Sequence, residues 1–284
     1  MADLCGLKAE IKKTALGLCS DCGVADARPF AELESVYSRY AGAVHGEYIG
    51  RNARTRADIG RWFPEAKSVL MCAFSYWEPG RPVPLFGGEQ LSAFPERYLK
   101  RKGAAPENGT YVPARFALCR DYHKEVSARL EQLLAKIKLL APDAEGRIFV
   151  DSSPVAEKPL AQRAGLGFQG RNTLLINKEM GSFLVLGGIA LSLALEPDGA
   201  FTENLCGDCR RCIESCPTGA LSEEGLEVSR CLAYWLNSAQ GNPPEELAEA
   251  GRGMIAGCDL CQEACPHNAA KKKTGRISLS CKLD

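Results

Sequence analysis

The chain has 284 residues, of which 45% are hydrophobic and 25% charged, a balance typical of a globular protein with a sizeable core. Its 35 basic and 35 acidic residues cancel, so the net charge provides no general attraction to nucleic acid or membranes. We expect a cytoplasmic protein, because Glu10, Lys12 and Lys13 interrupt any apolar signal segment and no apolar run reaches about 18 residues.

The first half of the chain reads as mixed helix and strand. Apolar spacing over residues 4–19 predicts a helix, and the apolar run 68–76 predicts a buried strand. Residues 78–113 are rich in Pro and Gly and predict a long loop, of a kind that is usually functional or flexible. The elements predicted next are a helix over 121–140, a strand over 147–150, a helix over 156–164, and strands over 173–177 and 182–195.

Cysteine content changes near Glu196, since eight of the fourteen cysteines lie between that residue and His267. A reducing cytoplasm disfavours structural disulfides, so this number of cysteines indicates metal binding or redox chemistry. We predict two domains, an α/β (α+β) domain over residues 1–197 and a small ferredoxin-like domain with two [4Fe–4S] clusters over residues 198–284.

The first cysteine motif reads C-x2-C-x2-C-x3-C-P and contains Cys206, Cys209, Cys212, Cys216 and Pro217. This is the spacing of bacterial ferredoxins, in which the fourth cysteine binds the other of two [4Fe–4S] clusters. Three closely spaced thiolates reach three irons of one cluster if the chain curls around it, and Pro217 then turns the backbone.

The second motif, C-x2-C-x3-C-P, supplies three further cysteines. Two clusters need about eight thiolates, so one ligand must come from elsewhere, and Cys231 between the motifs is the natural candidate. The predicted ligands are Cys206, Cys209, Cys212 and Cys265 for one cluster, and Cys216, Cys231, Cys258 and Cys261 for the other.

Other interpretations of the cysteines stay open. Structural zinc favours two well-separated C-x2-C pairs, which fits this spacing less well, and one of the two clusters could be structural. The remaining cysteines can be buried apolar residues, although Cys19 and Cys22 form a C-x2-C pair that could be a redox or metal site. These remaining cysteines are Cys5, Cys19, Cys22, Cys72, Cys119 and Cys281.

Gly165, Gly167 and Gly170 match the pattern G-x-G-x-x-G. A dinucleotide-binding turn must follow a strand and open a helix, whereas here a predicted helix precedes and a strand follows. We interpret these glycines as positions where backbone packs closely or approaches a flat ligand.

Three segments resemble epoxyqueuosine reductases closely: residues 151–177, which end in the run AEKPLAQRAGLGFQGRNTLLIN, residues 206–221 and residues 258–266 (CDLCQEACP). Weaker matches occur in the same order at 55–56, 64–68 and 120–124, so the resemblance covers roughly residues 7–270. It implies a reductase similar in fold and cofactors to reductive dehalogenases, with a cobalamin in the N-terminal domain beside two [4Fe–4S] clusters. It also implies an external electron donor of the ferredoxin or flavodoxin type, and a tRNA anticodon loop whose epoxyqueuosine is reduced to queuosine.

Asp151 matches the family's proton donor at the cofactor. From the residues alone, it is either a general acid whose pKa is raised by an apolar pocket, or a cap for the helix that follows. Six further residues fall where the family contacts or shapes the cobalamin site, and each could instead be an ordinary surface or core polar residue. These are Arg56, Arg115, Tyr122, His123, Asn172 and Thr173.

The sequence departs from the family pattern in three places. The family's C-terminal helical-repeat domain, which helps hold tRNA, has no counterpart before Asp284; Ser153 replaces a glycine and His267 a tryptophan. The resemblance therefore predicts a short member of this family, without the helical-repeat domain, and leaves open whether the chain binds tRNA. The rival hypotheses are a cobalamin-dependent reductase of a small molecule, such as an organohalide or another epoxide, and a non-catalytic electron carrier.

Overall fold

A computed structural model describes residues 4–77, 81–100, 102–239, 241–269 and 279–280; Cys281 lies outside these ranges. The helices are α1 (Leu4–Leu16), α2 (Leu33–Ser38), α3 (Glu47–Gly50), α4 (Ala53–Ala57), α5 (Glu96–Leu99), α6 (Tyr122–Leu140), α7 (Glu157–Arg163), α8 (Arg211–Glu214), α9 (Glu245–Ala250) and α10 (Leu260–Glu263). The strands are β1 (Asp21–Asp26), β2 (Ser68–Ser75), β3 (Phe86–Gly87), β4 (Thr110–Pro113), β5 (Gly146–Val150), β6 (Phe168–Gln169), β7 (Leu175–Ile176), β8 (Leu184–Leu191), β9 (Leu221–Ser222), β10 (Gly225–Leu226) and β11 (Met254–Ile255). Within the described ranges, no helix is both long and apolar enough to cross a membrane.

The central sheet has four strands in the order β1-β2-β8-β5, and neighbouring strands are antiparallel throughout. Side chains of β2 alternate between two apolar layers: Leu70 and Phe74 pack with α1 and α6, whereas Val69 and Met71 pack with α7. Because helices cover both faces of the sheet, β2 is apolar along almost its whole length.

The structure confirms most of the predicted elements. The helices expected over 121–140 and 156–164 are α6 and α7, and the strands expected over 68–76, 147–150 and 182–195 are β2, β5 and β8. Sequence reasoning missed β1, because its sequence DCGVAD has acidic ends and an internal glycine that obscure a strand pattern.

The prediction of a single long loop over residues 78–113 is wrong in part. This segment contains β3, α5 and β4, and β4 pairs in parallel with β11, where Val112 lies opposite Met254. Gly103 packs so closely on this region that an added Cβ would lie 1.7 Å from the Gly251 oxygen. The two predicted domains therefore share a sheet, and we keep the division at residues 197 and 198 as a proposal.

The glycine pattern at 165–170 follows α7 and leads into β6, the order opposite to a dinucleotide-binding turn. Gly167 has a φ of +155°, and a Cβ there would lie 2.2 Å from the Ile176 oxygen. Close packing of the β6–β7 hairpin explains the glycine at this position.

Replacing Gly23 with Ala is expected to destabilise the fold by roughly 1–3 kcal/mol, as overpacked positions do. Gly23 lies in β1, and a Cβ there would lie 2.0 Å from the carbonyl oxygen of Ala164 at the end of α7. A urea titration should show a lower midpoint for Gly23→Ala than for the control Gly87→Ala, whose Cβ would meet only the Gln90 side chain at 3.7 Å. Equal midpoints would show that α7 can move away from the sheet without cost.

Candidate active site and cluster-binding cavities

Asp151, with Tyr122 and His123 in contact with it, lies at one end of the central sheet. β2 and β5 both end there and β8 begins there, since Ser75 pairs with Leu184 and Val150 with Gly187. Tyr76 and Asp151 follow the two strands directly, so both emerge at this end of the sheet.

A first cavity is formed where α8 approaches the end of α10. Its lining includes Cys206, Cys209, Cys212 and Cys265, together with Arg171, Asn172, Ile176, Pro266 and His267. Cys212 lies within α8, and Cys265 directly precedes a short helical turn over Pro266–Asn268. These four cysteines are the set predicted to bind one cluster.

A second cavity, of about 380 Å³, is lined by Cys216, Cys231, Cys258 and Cys261. Cys231 reaches it between a short turn over Val228–Arg230 and the helical segment Tyr234–Ser238. The predicted second set of ligands thus lines one space, although Cys231 belongs to neither motif. The ligand role of each cysteine stays a prediction.

The chemistry of these cavities fits iron–sulfur clusters. All eight cysteines are free of disulfides, and four thiolates are the usual ligands of a [4Fe–4S] cluster. Burial raises the pKa of the Cys258 thiol to about 12, so the thiolate forms when iron displaces its proton. Among the described residues, no three His, Cys, Asp or Glu side chains converge closely enough to hold a single metal ion.

Asp151 lies at the centre of a hydrogen-bonded group. The Tyr122 hydroxyl donates to Asp151 Oδ2 at 2.5 Å, and His123 Nε2 lies 2.9 Å from Oδ1. The Tyr122 and His123 rings stack at 4.1 Å, and burial, reinforced by the charge of Asp151, raises the pKa of Tyr122. The Asp151 side chain is 42% exposed, so the carboxyl is not enclosed, and its role as general acid stays a prediction.

Glu157 is a residue that sequence reasoning missed. It begins α7, and its Oε1 atom is buried with no hydrogen-bond partner among the described residues. Burial and the nearby charge of Asp151 raise the pKa of Glu157 to about 8. Its only sequence signal was an acidic residue in a helix first turn, which is common and points to no special role.

The two predicted arginines occupy different surroundings. Arg56 lies against the start of α7, where Nη1 donates to the Val155 oxygen at 3.4 Å. Arg115 lies beside the larger cavity, with Nη1 2.5 Å from Glu263 and 3.4 Å from Asp259. The carboxylates of Glu263 and Asp259 thus pair with the Arg115 guanidinium. A contact between Arg115 and a cofactor stays a prediction.

Asn172 and Thr173 form part of the wall of the larger cavity, and Asn172 lines both cavities. Thr173 has a φ of +62°, and the Lys158 ammonium donates to its carbonyl oxygen at 2.7 Å. The buried Asn172 Nδ2 has no partner among the described residues. A donor of this kind fits the amide groups at the edge of a corrin, and the lining of the cavity is partly apolar, as is usual for a cofactor site.

Comparisons with known proteins agree with this arrangement. Residues 205–268 match the family model described as "4Fe-4S double cluster binding domain", and residues 56–152 match "Epoxyqueuosine reductase QueG, DUF1730". The epoxyqueuosine reductase of Cyclobacterium marinum is 31% identical over 267 residues, covering 92% of this chain and 79% of that protein. That of Gloeobacter violaceus is 35% identical over 257 residues, covering 89% of this chain and 73% of that protein.

Solved structures show the same relationship. Epoxyqueuosine reductase from Streptococcus thermophilus superposes with a TM-score of 0.74 at 27% identity, covering 96% of this chain and 68% of that chain. The catabolic reductive dehalogenase NpRdhA shares the fold at 16% identity and a TM-score of 0.52, over 94% of this chain and 32% of that chain. The chain is thus an oxidoreductase with two [4Fe–4S] clusters, and it belongs to the epoxyqueuosine reductase family.

Proposed function

We propose that this chain reduces epoxyqueuosine in tRNA to queuosine, using a cobalamin bound beside the larger cavity, against the wall that contains Asn172 and Thr173. The observation that carries the proposal is the lining of this cavity: predicted cluster ligands form one side, and Asn172 and Thr173 form another. Asp151 lies at the same end of the sheet. A source of electrons and a source of protons therefore meet beside one space.

Cobalamin, when bound, supplies a strongly reducing cobalt centre. Asn172 would hold the corrin through its Nδ2 donor, and Lys158 keeps the backbone of Thr173 in the cavity wall. The apolar side chains of Phe116 and Leu174 line the same space and would help to exclude water once the cofactor is bound. Asp151 would deliver a proton to the substrate oxygen.

The partners follow from the same proposal. A crystal structure of an epoxyqueuosine reductase with an epoxyqueuosine-modified tRNA-Tyr stem loop superposes with a TM-score of 0.75 at 26% identity, covering 94% of this chain and 66% of that chain. This likeness supports a tRNA substrate, and with it a cytoplasmic location. We further propose a donor of the ferredoxin or flavodoxin type that reduces the cluster near Cys206 and Cys209, which are both partly exposed.

The protein, reconstituted anaerobically with iron, sulfide and cobalamin, is expected to convert an epoxyqueuosine-bearing stem loop to queuosine when a chemical reductant is present. Nucleoside mass spectrometry should show that the modified nucleoside has lost one oxygen. The same protein without cobalamin should leave the nucleoside unchanged. Turnover of an organohalide without turnover of the stem loop would favour the small-molecule reductase. About eight irons per chain without retained corrin would indicate an electron carrier.

A further inference from the structure

Asp151, the proposed proton donor, has a second carboxyl near it, that of Glu157. Glu157 begins α7, six residues after Asp151, and the structure brings the two carboxyls close enough for the charge of one to act on the other. Its buried Oε1 has no partner among the described residues, although a buried carboxylate oxygen normally accepts a hydrogen bond. Burying an oxygen without a hydrogen-bond partner costs less free energy when the carboxyl is neutral than when it is ionised.

Charged and titratable groups surround Glu157 from several elements. Those that interact with it are Asp151, Arg56, Lys158, Tyr37 and Tyr122. Arg56 and Lys158 oppose the effect of burial on its pKa, but the pKa is still raised to about 8. A carboxyl with this pKa is mostly protonated at pH 7, and the two cations can stabilise the carboxylate after the proton leaves.

Asp151 has the opposite surroundings. It is 42% exposed, and it accepts a hydrogen bond from the Tyr122 hydroxyl at 2.5 Å. His123 Nε2 lies 2.9 Å from its other oxygen. Both Asp151 oxygens therefore have hydrogen-bonding neighbours, whereas Glu157 Oε1 has none among the described residues.

We propose that Glu157 holds the proton that Asp151 delivers, so that the two carboxyls form a relay at the active site. Removing an epoxide oxygen as water consumes two electrons and two protons. The electrons come from the external donor through the clusters. In each of two cycles of the relay, Glu157 gives its proton to Asp151, Asp151 passes a proton to the substrate oxygen, and solvent reprotonates Glu157.

This inference rests on the proposed function, but it can be tested without substrate. Infrared difference spectra of the cluster-loaded full chain should show the carbonyl stretch of a protonated carboxyl at pH 7, titrating with a midpoint near 8. The band should be lost in Glu157→Gln and kept in Glu246→Gln, an exposed glutamate in the first turn of α9. Absence of the band from the wild type, or its persistence in Glu157→Gln, would overturn the proposal.

Turnover of the stem loop supplies the second measurement. In the holoenzyme, Glu157→Gln should lower kcat by about 10²-fold and remove the fall in rate above pH 8 expected for the wild type, with corrin retention and KM unchanged. A purely structural role would leave the shape of the pH profile intact, and that result would overturn the relay. A pH profile that changes in His123→Gln but not in Glu157→Gln would also overturn the relay. If the wild type does not act on the stem loop while the infrared band is present, the proposed function fails and the protonated Glu157 stands.

Discussion

Replacing Asp151 with Asn is expected to lower turnover by about 10³-fold, within the range that a positioned proton donor contributes. The Asn side chain keeps the shape of Asp and can still accept the hydrogen bond from Tyr122. It cannot, however, take a proton from Glu157 and pass it to the substrate. Both clusters and the bound corrin should remain, because Asp151 lines neither cavity.

The measurement is single-turnover conversion of the stem loop, with iron content and corrin absorption determined on the same sample. Asp143→Asn provides the matched control, because Asp143 is an exposed aspartate in the turn that precedes β5. Wild-type rates in Asp151→Asn would contradict the assigned role. In that case Asp151 would be an ordinary polar residue at the end of β5, as the helix-cap interpretation supposes.

Replacing Cys231 with Ser is expected to remove one of the two clusters, lowering iron from about eight to about four per chain. Cys231 lines the same cavity as Cys216, Cys258 and Cys261, and a serine hydroxyl is a much poorer ligand for iron than a thiolate. Turnover should fall below detection, because the missing cluster is the one whose cavity extends to Asn172 and Thr173.

Iron and acid-labile sulfide analysis, together with EPR of the reduced protein, would measure this loss. Cys5→Ser should keep about eight irons, since Cys5 is exposed on α1. A full complement of iron in Cys231→Ser would mean that the eighth ligand lies elsewhere. Zinc bound in place of iron in the wild type would revive the zinc interpretation.

The cysteine spacing was the strongest local signal in this sequence. Ligands two or three residues apart are brought together by a single curl of chain, so C-x2-C-x2-C-x3-C-P indicates a cluster wherever it occurs. Cys231 and Cys265 are different, since each lines a cavity with cysteines far away in the chain. Counting thiolates suggested their partners, and the fold placed each set around one space.

Elements with regular apolar spacing were also predictable, because that spacing is a local property of the chain. The apolar face of α6 and the apolar run of β2 are examples. Strand β1 was missed, because it takes its place in the sheet only by pairing with β2. A short polar-ended strand gains little stability by itself, and its partner supplies the hydrogen bonds that make it a strand.

The sequence by itself therefore determined the cluster motifs, the principal helices and strands, and the resemblance that named the family. Only the tertiary structure decided how each carboxyl at the site is solvated. Sequence reasoning weighed an apolar pocket against a helix cap for Asp151 and overlooked Glu157. In the structure the Asp151 side chain is 42% exposed, while Glu157 has a buried oxygen and a raised pKa. The pKa of a carboxyl depends on the water and the charges around it, and at Glu157 the charges include Arg56, which lies about a hundred residues away in the chain.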